Sequence, residues 1–114
     1  MKHSILLVDH DVPARSAVAQ MVEVLGYHAI GVAHAELALG VLNAVMVDVL
    51  LVGRLPDDDL AALVAIARRT QPGVKVVAAF ERRLSIPGAL PIDAFIHTPF
   101  SLQELKNVLR TLRL

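Results

Sequence analysis

The sequence contains no cysteine, which excludes disulfide bonds, thiolate nucleophiles and thiolate metal ligands. Charge of either sign is scarce, because charged residues make up 19% of the chain and 11 basic side chains balance 11 acidic ones. This balance provides no overall electrostatic footprint for nucleic acid. No apolar run is long enough to cross a bilayer, and Ile5–Val8 is too short for a signal-peptide core. We therefore expect a cytoplasmic protein with neither nucleic acid nor a membrane as its partner.

Apolar residues, in contrast, are abundant. They make up 55% of the 114 residues, and the mean hydropathy is +0.59. The length predicts a single domain over residues 1–114, large enough to bury one core. Such an apolar composition predicts that some apolar surface is covered by another protein or by a second copy.

The segment Val45–Val52 predicts the central strand of the fold. It is apolar except for Asp48 and rich in β-branched residues, a pattern typical of a strand buried on both faces of a parallel sheet. Gly53 and Pro56 end it. In open α/β sheets, ligands bind just beyond the carboxyl ends of the central strands. Here that end reads Val-Gly-Arg and offers neither a nucleophile nor a carboxylate.

The other predicted elements alternate between strands and helices. The segment Glu81–Pro91 is irregular, because two prolines and a glycine leave little room for a helix. Five alternations predict an α/β fold with a flavodoxin-like, doubly wound parallel sheet of order 2-1-3-4-5, in which the helix before the last strand is shortened or irregular. The remaining strands are Ile5–Val8, Tyr27–Ala33, Val74–Ala79 and Ala94–His97; the helices are one from Asp11 or Val12 to a cap at Gly26, Ala35–Leu42, one capped by an Asp of Asp57–Asp59, and one opened by a Ser101–Glu104 capping box.

Four motifs stand in one order along the chain: ILLVDHDVPAR, VDVLLVGRLPDDD, VKVVAAFE and DAFIHTPFSLQEL. Together they resemble the receiver domain of bacterial two-component response regulators. The resemblance implies a phosphorelay signalling module. In that family an Asp after the third strand accepts a phosphoryl group, and two acids after the first strand hold Mg²⁺. A Lys and a Ser or Thr contact the phosphoryl oxygens, and an aromatic residue on the last strand moves with the Ser or Thr.

Most of those groups are missing from this chain. Only Asp9 and Phe95 carry the residue type that the family uses. The nucleophile position is Val52 by its spacing from Pro56, or Gly53 if one residue is deleted, and neither can form an acyl phosphate. The positions that the resemblance assigns to the receiver site are Asp9, His10, Val52, Gly53, Phe80 and Thr98, with Phe95 as the switch aromatic.

The sequence therefore predicts a non-enzymatic pseudo-receiver that acts by protein–protein contact without Asp phosphorylation. We expect no cofactor and weak or absent Mg²⁺ binding. The resemblance implies a histidine kinase, another regulator or an output domain as the partner, and a homodimer is an alternative.

Two other hypotheses remain open. One is a working receiver that uses another Asp, such as Asp48 or one of Asp57–Asp59. The other is a flavodoxin-like domain that binds a small ligand or a metal where receivers have their phosphoacceptor site. Its pocket would be lined by Asp9, His10, Gly53, Phe80 and Thr98. Because imidazole and carboxylate together suit ions such as Zn²⁺, the metal candidates are Asp9, His10 and Asp11, with His97 nearby.

Overall fold

The computed structural model describes residues 2–81 and 90–114. Within these residues, strands and helices alternate along the chain up to the fourth strand. None of the described helices has the length and apolar character that crossing a membrane requires. The strands are β1 (Ser4–Val8), β2 (His28–Val32), β3 (Val49–Val52), β4 (Lys75–Phe80) and β5 (Ala94–His97); the helices are α1 (Val12–Val24), α2 (Ala35–Ala44), α3 (Asp57–Thr70) and α4 (Leu102–Thr111).

The five strands form one parallel sheet in the order β2-β1-β3-β4-β5, which confirms the predicted order. β3 lies in the centre of the sheet. Val8 of β1 pairs in register with Val52 of β3. All four β3 residues are buried, as expected for a strand covered on both faces.

Alternating side chains along each strand divide the core into two clusters. One cluster packs Leu6, Leu50 and Val76 against α2 and α3. The other packs Leu7, Leu51 and Val77 against α1 and α4. Only Val22 is buried among the residues of α1, whereas α3 buries four. A cavity lies beside the inner face of α1.

The predicted central strand began too early. Residues 45–48 form no strand, because α2 extends to Ala44 and the loop after it is held by the buried side chain of Gln71. The boundaries of β1, β2 and β4 differ from the prediction by at most one residue, and β5 has the predicted bounds. Gly26 closes α1 with φ +94°, and the capping box of Ser101 and Glu104 opens α4, both as predicted.

The predicted aspartate cap of α3 is wrong. Pro56 is the N-cap residue and no side chain caps the helix, while Asp57–Asp59 lie within its first turn. Carboxylates there still interact favourably with the positive end of the helix dipole. The prediction of a shortened helix before the last strand falls on residues 82–89, outside the described residues.

Candidate functional site

The site lies where β1 and β3 end side by side. The Gly53 N–H donates to the Val8 carbonyl oxygen over 2.7 Å, and the Asp9 N–H donates to the Val32 carbonyl oxygen over 3.1 Å. These bonds continue the sheet by one residue beyond each strand and place Asp9 next to Gly53. Val52, the alternative position, is only 1% exposed and packs into the cluster under α2 and α3. Gly53, not Val52, therefore faces the side of α1 and α4.

The side chain of Asp9 occupies the space beside Gly53. An ideal Cβ on Gly53 would lie 2.7 Å from Asp9 Cγ, 3.0 Å from Asp9 Cβ, and closer still to Asp9 Oδ2. Carbon atoms without a bond between them do not approach so closely, because the repulsive wall of the van der Waals potential is steep. While Asp9 keeps this rotamer, position 53 has room for glycine alone.

Arg54 supplies a cation to this edge of the sheet. Its Nη1 lies 3.1 Å from Asp11 Oδ2, and its Nη2 donates to Glu81 Oε1 over 2.7 Å. The hydrogen bond to Glu81 is the main cause that raises the pKa of the Arg54 guanidinium. Desolvation opposes it, and the charges of Glu81, Asp11 and Asp9 each raise the pKa by a smaller amount. The guanidinium therefore remains positive among three carboxylates.

Sequence reasoning did not find this bridge between Arg54 and Glu81. The signal was nevertheless present, since Arg54 follows β3, Glu81 follows β4, and these strands are neighbours in the predicted order. Opposite charges just beyond the ends of neighbouring parallel strands lie close together. The predicted strand order and the charge pattern together therefore indicate the bridge between Arg54 and Glu81.

Hydrogen bonds that involve nearby backbone groups fix the positions of Asp9 and Asp11. Asp9 Oδ1 accepts from the Asp11 N–H over 2.9 Å, and the Asp9 carbonyl oxygen accepts from Arg15 Nη1 over 2.8 Å. The side chain of Asp11 caps α1 by accepting from the Ala14 N–H. His10 Nδ1 lies 2.7 Å from the Arg54 carbonyl oxygen. The three metal candidates therefore do not converge on one point.

The aromatic positions pack together on β4 and β5. The Phe80 ring meets Phe95 edge-on, with centroids 6.1 Å apart, and meets His97 edge-on at 5.5 Å. The Thr98 N–H donates to the Phe80 carbonyl oxygen over 2.8 Å. His97 is thus engaged with Phe80 and does not join Asp9.

The alternative aspartates lie away from Asp9 and Gly53. Asp48 precedes β3 at the amino end of the sheet, where its Oδ2 accepts from the Ser4 N–H over 2.8 Å and lies 3.4 Å from His3 Nδ1. Asp57–Asp59 are exposed in the first turn of α3. Neither set shares the cavity at the end of β3.

A cavity of about 460 Å³ opens beneath this edge, between α1 and the corner that leads into α4. Asp9, Gly53 and Thr98 line it, as the hypothesis of a ligand-binding domain predicted. His10 and Phe80 do not belong to its described lining, which differs from that prediction, and Arg54 and Glu81 do. The cavity therefore extends beneath α1 rather than toward the aromatic positions.

The residues at this edge do not fit a divalent cation. Mg²⁺ needs several hard oxygen ligands in octahedral geometry. Gly53 offers no side chain, and Arg54 already bridges Asp11 and Glu81. Across residues 2–81 and 90–114, no three His, Cys, Asp or Glu side chains form a group that could hold a metal ion.

Replacing Arg54 with methionine should make the site more receptive to divalent cations. The change removes a positive charge from among three carboxylates and keeps much of the aliphatic stem, so we expect Mg²⁺ to bind at least several-fold more tightly. Isothermal titration with MgCl₂ at low ionic strength measures this. Arg69→Met, which removes the same charge from the last turn of α3, is the matched control. Equal Mg²⁺ affinity in both variants would contradict the role given to Arg54.

The sequence matches no family model and no curated protein. Solved structures, however, share the fold over almost the whole chain. A response regulator receiver domain from Methanospirillum hungatei superposes with a TM-score of 0.84 at 22% identity, covering 99% of this chain and 95% of that one. Such agreement at low identity shows a CheY-like receiver fold.

Two similar structures contain ligands. The receiver domain of a sensor histidine kinase from Pseudomonas aeruginosa has a magnesium ion coordinated in its active site cleft; its TM-score is 0.84 at 23% identity, with 98% of each chain covered. The response regulator TrrA from Thermotoga maritima, in complex with Mg²⁺ and BeF, gives 0.86 at 19% identity, covering 98% of this chain and 99% of that one. These ligands belong to those proteins.

Proposed function

We propose that this domain is a receiver-like signalling module that works through protein–protein contact and does not accept a phosphoryl group on aspartate. The observation that carries the proposal is the close approach of Asp9 to Gly53. The position beyond β3 has no carboxylate, and the Asp9 side chain fills the space that the Cβ atom of an aspartate would need there.

The charge arrangement supports the same proposal. Arg54 provides a permanent positive charge among Asp9, Asp11 and Glu81. A receiver would need Mg²⁺ to offset clustered carboxylates at this edge, whereas a guanidinium offsets them without any ligand. We therefore propose that the site stays in one electrostatic state, and that the domain uses no cofactor and catalyses no reaction.

The surface provides apolar groups for a protein partner. Seven large apolar side chains in the described residues are between 39% and 78% exposed. By the receiver resemblance, the partner is a histidine kinase, another regulator or an output domain, and a second copy of the chain is the alternative. The exposed side chains are Val12, Val24, Leu37, Val45, Met46, Leu102 and Leu114.

Amide NMR titration tests the absence of phosphoryl chemistry. We expect no saturable shifts at Asp9, Gly53 or Thr98 when Mg²⁺ and then beryllofluoride, a mimic of a bound phosphoryl group, are added to the wild-type protein. A receiver with a complete site, titrated in the same buffer, is the positive control. Saturable shifts that cluster around these three residues would show a working phosphoacceptor site and refute the proposal.

A further inference from the structure

The cavity beneath α1 has the size and lining of a small-molecule site. Its volume of about 460 Å³ lies within the roughly 300–1,000 Å³ that is typical of ligand pockets, and it exceeds what a single inserted side chain would fill. Leu7 and Leu51 of the sheet, Val18 and Met21 of α1 and Phe100 of the corner form an apolar wall. The polar groups lie at one end, so an occupant would have an apolar body and one polar head.

The charged side chains at the polar end of the cavity determine whether the polar head of an occupant is cationic or anionic. Asp9, Asp11 and Glu81 are opposed by Arg54 and Arg15. The two arginines are already engaged: Arg54 bridges Asp11 and Glu81, and Arg15 donates to the Asp9 carbonyl oxygen. Among the described residues at this edge, three carboxylates face two guanidinium groups. An anionic head would have to break the contacts of the arginines, whereas a cationic head would meet the carboxylates favourably.

Asp9 is the group best placed to receive such a head. One of its oxygens accepts from the Asp11 N–H, and the other lies beside Gly53, which has no side chain to cover it. Asp9, Gly53 and Thr98 all line the cavity. We propose that the cavity binds a small organic amine, with the ammonium group at Asp9 and Thr98 and the apolar body beneath α1. This inference is independent of the proposed function, since a domain without phosphoryl chemistry could bind an amine or not.

Three compounds with similar apolar bodies test the proposal: 2-phenylethylamine, 2-phenylethanol and 3-phenylpropionate. Amide NMR titration of the wild-type protein should give saturable shifts with the amine at Leu7, Val18, Gly53 and Thr98. Because a charged hydrogen bond contributes more than a neutral one, we expect the amine to bind about tenfold more tightly than the alcohol. The carboxylate should bind weakest.

Two variants separate the charge from the cavity. Asp9→Asn should weaken amine binding about tenfold and change alcohol binding less than about twofold. Ala17→Leu, on the α1 side of the cavity, should weaken both compounds. Ala62→Leu makes the same change on an exposed part of α3 and should weaken neither. If Asp9→Asn does not fold, Glu81→Gln at the exposed mouth must still weaken the amine selectively.

Several outcomes would overturn the proposal. These are no saturable amine shifts, alcohol or carboxylate binding as tight as amine binding, or Ala17→Leu with unchanged amine affinity. Beryllofluoride is absent from this titration, so its result is separate from the test of phosphoryl chemistry.

Discussion

Replacing Gln71 with leucine is expected to lower the free energy of unfolding by about 3 kcal/mol or more. Gln71 is only 5% exposed. Its Oε1 accepts from the Val47 N–H over 2.9 Å, and its Nε2 donates to the carbonyl oxygens of Leu42 and Val45 over 2.9 and 2.8 Å. Leucine has similar size but no polar atoms, so three backbone groups would lose their partners, each at a cost of roughly 1–3 kcal/mol where it stays buried.

Urea denaturation monitored by circular dichroism measures this loss. Gln103→Leu is the matched control, because Gln103 is exposed and its side chain donates to Asn107 on the same helix; we expect a change within about 0.5 kcal/mol. Hydrogen exchange at Val47 should also accelerate in Gln71→Leu. If both variants unfold at the same urea concentration, Gln71 does not hold the loop as described.

Placing an aspartate at position 53 is expected to destabilise the fold by about 2–4 kcal/mol. Overpacking against a fixed neighbour costs roughly 1–3 kcal/mol, and a second carboxylate beside Asp9 adds like-charge repulsion. Gly53→Ala should show the steric part alone, at about 1–2 kcal/mol. Thermal and urea unfolding of both variants measure the two contributions. Because Asp9 is the obstacle, most of the cost of Gly53→Ala should disappear in an Asp9→Ala background.

Gly40→Ala provides the control of opposite sign. Gly40 lies inside α2, and a Cβ there would meet no atom within 4 Å. The same chemical change should therefore stabilise the protein by about 0.5–1 kcal/mol through helix propensity. A neutral Gly53→Ala, or an equal cost with and without Asp9, would contradict the close approach on which the proposed function rests.

Local patterns in the sequence determined most of the fold. Each strand is a short apolar run, and each helix carries an apolar stripe with recognisable ends. Gly26 and the Ser101–Glu104 pair mark helix ends because one adopts a positive φ and the other satisfies free N–H groups. Right-handed connections then left few strand orders to consider. The same patterns also indicated that Asp9 and Gly53 follow neighbouring strands.

The predicted start of β3 and the predicted cap of α3 were wrong because other contacts outweigh the local conformational preference of the sequence. The run Val45–Asp48 is as apolar and β-branched as a strand, yet Gln71 bonds to its backbone from 24 to 26 residues away. The aspartates of α3 fit a cap by residue type, but Pro56 takes that place. The contacts of Gln71 are not visible in a local window of sequence, whereas Pro56 is the neighbour of Asp57 and takes the N-cap position through the backbone conformation there.

The sequence by itself determined the α/β class, the sheet order and the absence of a carboxylate after β3, because periodicity and residue identity are local properties. Only the tertiary structure decided that Asp9 fills the space beside Gly53, that Arg54 bridges Asp11 and Glu81, and that a cavity opens beneath α1. These features depend on distances of a few ångströms between segments far apart in the chain. Packing sets those distances, and no spacing along the sequence encodes them directly.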